Sequence, residues 1–267
     1  MHVKENAIQQ MFTISYARAV GLTLLTLSLA QAAYSESSTL STDPTATSSG
    51  QIQDNTPRAR SVWAPIYKPP YPNAPNVRVQ GIARGSDDAT LALTVLAPEH
   101  VGLTIKDQPS LFWFQSRMAN AEFELTIAAD KEATPVLEAK LSPATSDGIQ
   151  RFRLSNTSIK LKKDVEYRWS VAMVLDPDNR SRDVVASGVI KRITPSPELI
   201  SRLAKSPSDA AAIYADEGVW YDSLEALSDL IEQKPADMAL HEERAMFFMQ
   251  VGLKDAAVYD AKTASAK

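Results

Sequence analysis

Three sets of side chains have the types and spacing to do chemistry. Two histidines, His100 and His241, lie beyond the amino-terminal segment, and imidazole is the commonest general base near neutral pH. A Ser-His-Asp site built on His100 needs its nucleophile in a strained turn, and no Gly-x-Ser-x-Gly elbow occurs in the chain. His100 follows Pro98-Glu99 and reads as a surface loop residue. Two scattered imidazoles fall short of the convergent ligands a metal needs. Glu122 and Glu124 stand at i and i+2, ~7 Å apart on one strand face. A glycosidase carboxylate pair has that spacing, but an ordinary exposed face alternates in the same way. Asp176, Asp178, Asn179 and Asp183 resemble the opening of a calcium loop. Arg180 falls where an EF-hand wants a third acidic ligand, Ser181 replaces its Gly and Ser187 its bidentate Glu. A hairpin turn accounts for Asp-Pro-Asp-Asn equally well.

The remaining classes are excluded more simply. The chain has no Cys, hence no disulfide, thiol nucleophile or thiolate metal site. Gly81 to Gly85 lacks the Lys-Ser/Thr of a phosphate-binding loop. A net charge of -4 over 267 residues argues against a nucleic-acid binder. No catalytic constellation, cofactor or metal site is expected, and the chain reads as a non-enzyme.

The elements available to position these residues fall into two kinds. Between Asn76 and Ile193 the apolar period is two. Phe123, Leu125 and Ile127 alternate with Glu122, Glu124 and Thr126, and Tyr167, Trp169, Val171 and Met173 with Glu166, Arg168, Ser170 and Ala172. Leu91 to Val95, Leu111 to Phe114, Val136 to Leu141, Ile149 to Leu154 and Val184 to Ile193 add further strands, seven in all. Short strands without intervening helices predict an antiparallel two-sheet sandwich, with Trp169 in its core.

After Thr194-Pro195-Ser196-Pro197 the period becomes 3.6. Ser206-Pro207-Ser208-Asp209 opens a helix that runs through Tyr214 and ends near Gly218. Trp220 to Gln233 is a second, stopped by Pro235. The pattern repeats 34 residues on, where Tyr214 recurs as Phe248, Gly218 as Gly252 and Leu224 as Val258. That spacing resembles tetratricopeptide repeats. Fewer than two full units are present, so the pair must bury its apolar face on the sandwich or on a partner. From Thr194 onward 13 acidic residues meet 7 basic ones, a net of 7 − 13 = -6. This acidity is either a concave peptide-binding face or a solvated outer face.

The amino terminus reads as an address. Lys4 and Arg18 precede the apolar run Ala19 to Ala30, and Ala30-Gln31-Ala32 is a small-x-small site. Twelve residues span only ~18 Å as a helix, too short to cross a bilayer. A secretory signal cut after Ala32 or Ala33 is expected, giving a periplasmic or secreted mature chain with no membrane span. Residues 33–56 are polar and read as a disordered arm. Residues 57–76 form a Pro-rich lead with Trp63, Ile66, Tyr67 and Tyr71 interleaved. This lead either docks into a partner's groove or packs back on the first domain.

Several motifs carry resemblances. Leu161 to Trp169 resembles the approach to the penultimate strand of fibronectin-type-III-like domains, where a Leu six residues before a Tyr accompanies a tyrosine corner. The usual Pro and Thr between them are missing here. Arg84-Gly85, Leu111-Phe112-Trp113-Phe114, Tyr167-Arg168-Trp169, Asp176-Pro177 with Arg180-Ser181, Gly188 to Arg192 and Tyr214 to Asp222 occur in that order. From about Gly81 to Leu253 this order resembles the uncharacterised bacterial domain-of-unknown-function family nine-twenty-eight. The resemblance implies a secreted or periplasmic protein with no assigned activity. It also implies a pair of cysteines in some members, at positions that here hold Ser86 and Leu175.

The resulting expectation is an α+β chain in two parts. An immunoglobulin- or fibronectin-III-like sandwich (77–193) precedes a tetratricopeptide-like tail (194–267), behind the signal (1–32), arm (33–56) and lead (57–76). Function is expected to be non-enzymatic binding of an unknown envelope protein, with Trp220, Tyr221, Asp222, Trp63 and Tyr67 as contact residues. The alternatives are a carbohydrate- or peptidoglycan-associated module using Trp63, Tyr67 and Tyr71, and thirdly a hydrolase.

Overall fold

The computed structural model describes residues 64–71, 73–84, 90–119, 121–142 and 146–265. The expected signal peptide, the polar arm and Trp63 lie outside the described residues.

Alternating apolar residues make the strands, and the register shows which face they bury. In chain order these are β1 (Gln80–Arg84), β2 (Thr90–Val95), β3 (Gly102–Thr104), β4 (Ser110–Gln115), β5 (Glu122–Ala129), β6 (Leu137–Leu141), β7 (Gly148–Arg153), β8 (Glu166–Val174) and β9 (Val184–Arg192). One sheet has the order β1-β2-β4-β7 and the other β3-β9-β8-β5-β6. In the second, Leu125 pairs with Val171 and Ile127 with Trp169, so the inward side chains of β5 and β8 lie side by side. Phe123, Leu125, Ile127, Trp169, Val171 and Met173 are all buried, in one core cluster with Leu93, Val95, Leu111 and Trp113 of the first sheet.

Two strands escape the sequence pattern. β1 (Gln-Gly-Ile-Ala-Arg) shows no clean alternation, and β3 is three residues long. β3 also corrects the expected all-antiparallel arrangement, because it runs parallel to β9, pairing Gly102 with Ile190. β4 is buried along its whole length. Its second face is covered by helix: Phe114 meets Tyr259 edge-on at 5.6 Å.

The helices are α1 (Pro197–Lys205), α2 (Ala210–Asp216), α3 (Trp220–Gln233), α4 (Met238–Met249) and α5 (Lys254–Ser265). α1 was not expected. Ser196 caps it, its Oγ accepting from the Leu199 N–H at 3.0 Å, with Pro197 in the first turn. The 34-residue echo is geometric as well as sequential. Gly218 and Gly252 both sit at φ +72°, where a side chain is strained. The Val219 N–H donates to Tyr214 O at 2.8 Å, and the Leu253 N–H to Phe248 O at 3.1 Å. Both bonds reach back past the helix end to its orphan carbonyls. The echo fails at its end: Leu224 is buried, whereas Val258 is 51% exposed.

Sheets and helices belong to one compact unit. The first turn of α3 joins them. Trp220 Nε1 donates to Leu96 O at 2.9 Å, just beyond β2. The Tyr221 hydroxyl accepts from Trp169 Nε1 of β8 at 2.8 Å and donates to Val189 O of β9 at 3.2 Å. Gly102 leaves room for that ring, since a Cβ there would stand 2.6 Å from Tyr221. Farther along α3, Glu225, Asp229 and Glu232 share one face. Arg151 of β7 bonds all three and lies over Phe112. Part of the tail's acidity is therefore spent inside the fold, on holding α3 to the β4–β7 surface.

Tyr221→Phe removes a buried hydroxyl that serves two partners, orphaning the Trp169 indole N–H. Urea unfolding should show a loss of about 2–3 kcal/mol; a loss below about 0.5 kcal/mol, the range of a neutral surface change, contradicts this role.

Candidate functional site

The contact residues expected from sequence turn out to be the seat rather than the surface. Trp220, Tyr221 and Asp222 are each 0% exposed, so they cannot meet a partner. The signal misread was their polar and aromatic character. It serves the sheet–helix junction, where an amphipathic ring needs both an apolar slot and a hydrogen-bond partner. Tyr67 is 6% exposed and also inward-facing. Trp63 is outside the described residues.

The part of the Pro-rich lead that is described packs back onto the helices. From Ala64 to Lys68 burial alternates as in a strand, with Pro65 and Tyr67 inward and Ile66 and Lys68 outward. Gln250, at the end of α4, brackets the backbone. Its Oε1 accepts from the Tyr67 N–H at 2.8 Å and its Nε2 donates to Pro65 O at 2.8 Å. The Lys68 N–H donates to Ala215 O, one of the last carbonyls of α2, at 3.0 Å. The Lys68 ammonium pairs with Asp216. The Tyr67 ring is edge-on to Trp220 at 5.1 Å and to Phe247 at 6.1 Å, and stacks on His100 at 5.8 Å. Burial, with Tyr221 nearby, pushes its phenol far above the ordinary tyrosine range. Gln250, Phe247 and His100 are the seat residues that sequence reasoning missed: nothing local ties α4 to a segment about 180 positions away, and His100, 33 positions on from Tyr67, reads as a surface loop residue.

Beside this seat the surface stays open. A groove of about 620 Å³ runs between Ala64–Ile66 and the facing sides of α1 and α2, floored by Pro65 and Ile213 and rimmed by Arg202, Lys205 and Asp209. Ile66 is 68% exposed, and Met246 and Met249 on α4 are 40% and 52% exposed.

The chemistry-bearing sets are absorbed elsewhere. His100 is half-buried rather than a free surface group. The Val101 carbonyl can only accept, so Nδ1 carries the proton at 2.9 Å, and in the neutral ring Nε2 accepts from the Tyr67 hydroxyl at 3.2 Å. His241 donates to Asp260 at 2.7 Å, and Arg244 holds the same carboxylate at 2.6 and 2.9 Å while reaching Ser228. That buried network ties α3, α4 and α5 together. Glu122 pairs with Lys140, and Glu124 with Arg180. Arg180 also bonds Asp183 at 2.7 Å, so a guanidinium sits in the acidic turn where calcium would. Among the described residues no group of three or more His, Cys, Asp or Glu could hold a metal ion. No helix among them is long and apolar enough to cross a membrane.

Asp222 is a buried titratable group at the sheet–helix junction. Oδ2 accepts from the Ile105 N–H at 3.2 Å, while Oδ1 has no partner. Burial pushes its carboxyl up to about 6, against smaller opposing effects of Thr104, Lys106 and the Ile105 N–H, with Glu225 adding to the rise. The folded chain therefore keeps a proton between about pH 4 and 6 that the unfolded chain releases, so stability falls as pH rises through that window. Relative to Asp222→Asn, the wild type should lose about 2–3 kcal/mol across it, at ~1.4 kcal/mol per unit. Denaturant midpoints measured at several pH values test this, and parallel profiles for the two proteins contradict it.

The family model described as Domain of Unknown Function (DUF928) matches residues 79–260, well over half of the 267-residue chain. The match takes in β1 through most of α5, including His100, Trp220, Phe247 and Gln250, and begins after the docked segment of the lead. No curated protein matches the chain.

Proposed function

The chain belongs to the DUF928 family, a membership that names no reaction, and we propose that it is a non-enzymatic, extracytoplasmic protein-interaction module. The observation that carries this is exposed apolar surface: Ile66 at the mouth of an open groove, and Met246 with Met249 on the outer side of α4. Flexible methionines suit a surface that adapts to a partner, and a rim of Arg202, Lys205 and Asp209 supplies polar selection. The contact surface is thus the outer face of α1, α2, α4 and the lead, not the Trp220 turn.

The finer fold reading is part of the proposal. The sheets are an immunoglobulin- or fibronectin-III-like sandwich; the Tyr167 hydroxyl, which accepts from the Lys162 N–H at 3.0 Å, supports a tyrosine corner without the usual Pro and Thr. The helices are a tetratricopeptide-like pair, supported by the matched turns at Gly218 and Gly252. Export rests on the amino-terminal apolar run Ala19 to Ala30 and on the small-x-small site Ala30-Gln31-Ala32. The carbohydrate reading loses one of its three aromatics to burial at Tyr67. Hydrolysis gains no specific observation.

Pull-down from an envelope extract tests the proposal. Wild type should enrich a partner that Ile66→Glu and Met249→Glu each reduce at least about tenfold, the effect of losing roughly 1.4 kcal/mol. Enrichment of nothing, or of partners indifferent to both changes, counts against it.

A further inference from the structure

The sheet of β3, β9, β8, β5 and β6 ends at β6 (Leu137–Leu141), and among the described residues no strand flanks its far side. An edge strand leaves the N–H and C=O groups of alternate residues without a ladder partner, which makes it a template for another strand. Both ends of this edge are open: Glu132 to Thr134 before it and Ser142 after it are exposed. The register on β5 sorts its side chains by face. Leu137, Ala139 and Leu141 pair with buried Ile127, Leu125 and Phe123 and so turn toward the core. Glu138 and Lys140 pair with Thr126 and Glu124 and turn outward, where both are exposed. Leu137 and Leu141 pack on the core yet stay half-buried, as apolar side chains at the margin of a sheet do.

The edge has the same pattern in both directions. About Ala139, Leu137 mirrors Leu141, and Glu138 is answered by Lys140. A second β6 laid antiparallel on the edge, with the two Ala139 residues opposite, sets Leu137 beside the partner's Leu141 and Glu138 beside the partner's Lys140. A two-fold axis through the sheet between the two Ala139 residues repeats both contacts, as a closed isologous pair requires, and keeps both apolar faces on one side. Pro135 and Pro143, which have no N–H to give, fall outside the five paired residues. No other register is equivalent. A slip of two residues sets Lys140 against the partner's Lys140 or Glu138 against the partner's Glu138, and like charges directly opposite repel. A slip of one turns the leucines of one copy to the other face. Lysine is a usual guard of an exposed edge, and here an acid of the same strand stands in the place that answers it. Both charges are available: Glu138 makes no ion pair among the described residues, and the Lys140–Glu122 pair at 3.5 Å is exposed on both sides.

We propose that β6 is a self-association edge, on which two copies join β6 to β6, antiparallel and centred on Ala139, so that their five-stranded sheets run on as one. This surface shares no residue with the groove beside Ile66 and goes beyond the interaction-module reading. Five residues a side make a small interface, so the pair is transient and its population follows concentration.

Light scattering on the full chain tests it, from about 10 μM to about 1 mM, the span of a weak association. Wild type should rise from the mass of one chain toward that of two. Glu138→Lys and Lys140→Glu each set like charges opposite at both symmetry-related pairs, and each should weaken association at least about tenfold. An equimolar mixture of the two variants should associate again, because each then presents the charge that the other needs. The double exchange, Glu138→Lys with Lys140→Glu, should associate like wild type, and it decides where a single variant does not fold. A wild type that keeps the mass of one chain at about 1 mM overturns the proposal. Association indifferent to both single changes overturns it too, as does a mixture or a double exchange that fails to recover. Ile66→Glu and Met249→Glu leave β6 untouched, so lost partner capture with an intact edge dimer refutes the wider reading alone, and the reverse refutes this one alone.

Discussion

Three consecutive residues at the start of α3 reach no solvent, and the rest of the molecule is arranged around them. Trp220 bonds the end of β2, Tyr221 bonds β8 and β9, and Asp222 bonds the residue after β3. One helical turn thus touches strands of both sheets. Two large aromatic rings from this turn join the core cluster shared by both sheets, and their polar atoms are each given a partner. Burial of this kind is stabilising because the indole and phenol leave no unmet hydrogen bond behind. Asp222 is the exception, with one oxygen unpartnered. Its position in the first turn of α3 sets the helix dipole against part of its desolvation cost.

The same turn links the core to the surface. Trp220 stacks on Phe247 at 4.3 Å, and both rings then form the walls that hold Tyr67. A change in how α3 seats against the sheets is felt by the lead with only one layer of side chains between. Close packing transmits such displacements because it leaves no slack. Exposed Ile66 rides on that lead, and exposed Met246 and Met249 on α4. The proposed contact surface and the core are therefore not separate designs, and the helices are more than a cap on the sheets.

Much of the fold was legible in the residues. Apolar patterning marked every strand but β1 and β3, and it put Trp169 in the core, where it is 0% exposed. β1 and β3 were illegible because pairing with neighbours, not their own pattern, makes them strands. The parallel run of β3 beside β9 is a long-range fact with no local trace. α1 was hidden by its Ser-Pro start, which reads as a linker although Ser196 and Pro197 are good helix-opening chemistry. The candidate site was legible only in part. Tyr67 stood out as an aromatic among prolines, but Gln250 looks like any polar residue at a helix end. Trp220-Tyr221-Asp222 looked like a surface motif because amphipathic residues suit interfaces between molecules and interfaces within one equally well. The junction they form is internal.

If the α3 turn completes the core, the sheets have no independent fold. A chain ended after Ile193 tests this most directly, with thermal or urea unfolding followed by tryptophan fluorescence. It should show no cooperative transition, since its core has lost Trp220, Tyr221, Leu224 and Leu227 and Trp169 has lost the Tyr221 hydroxyl. A sharp two-state transition from the shortened chain, with Trp169 still in an apolar environment, would contradict the account.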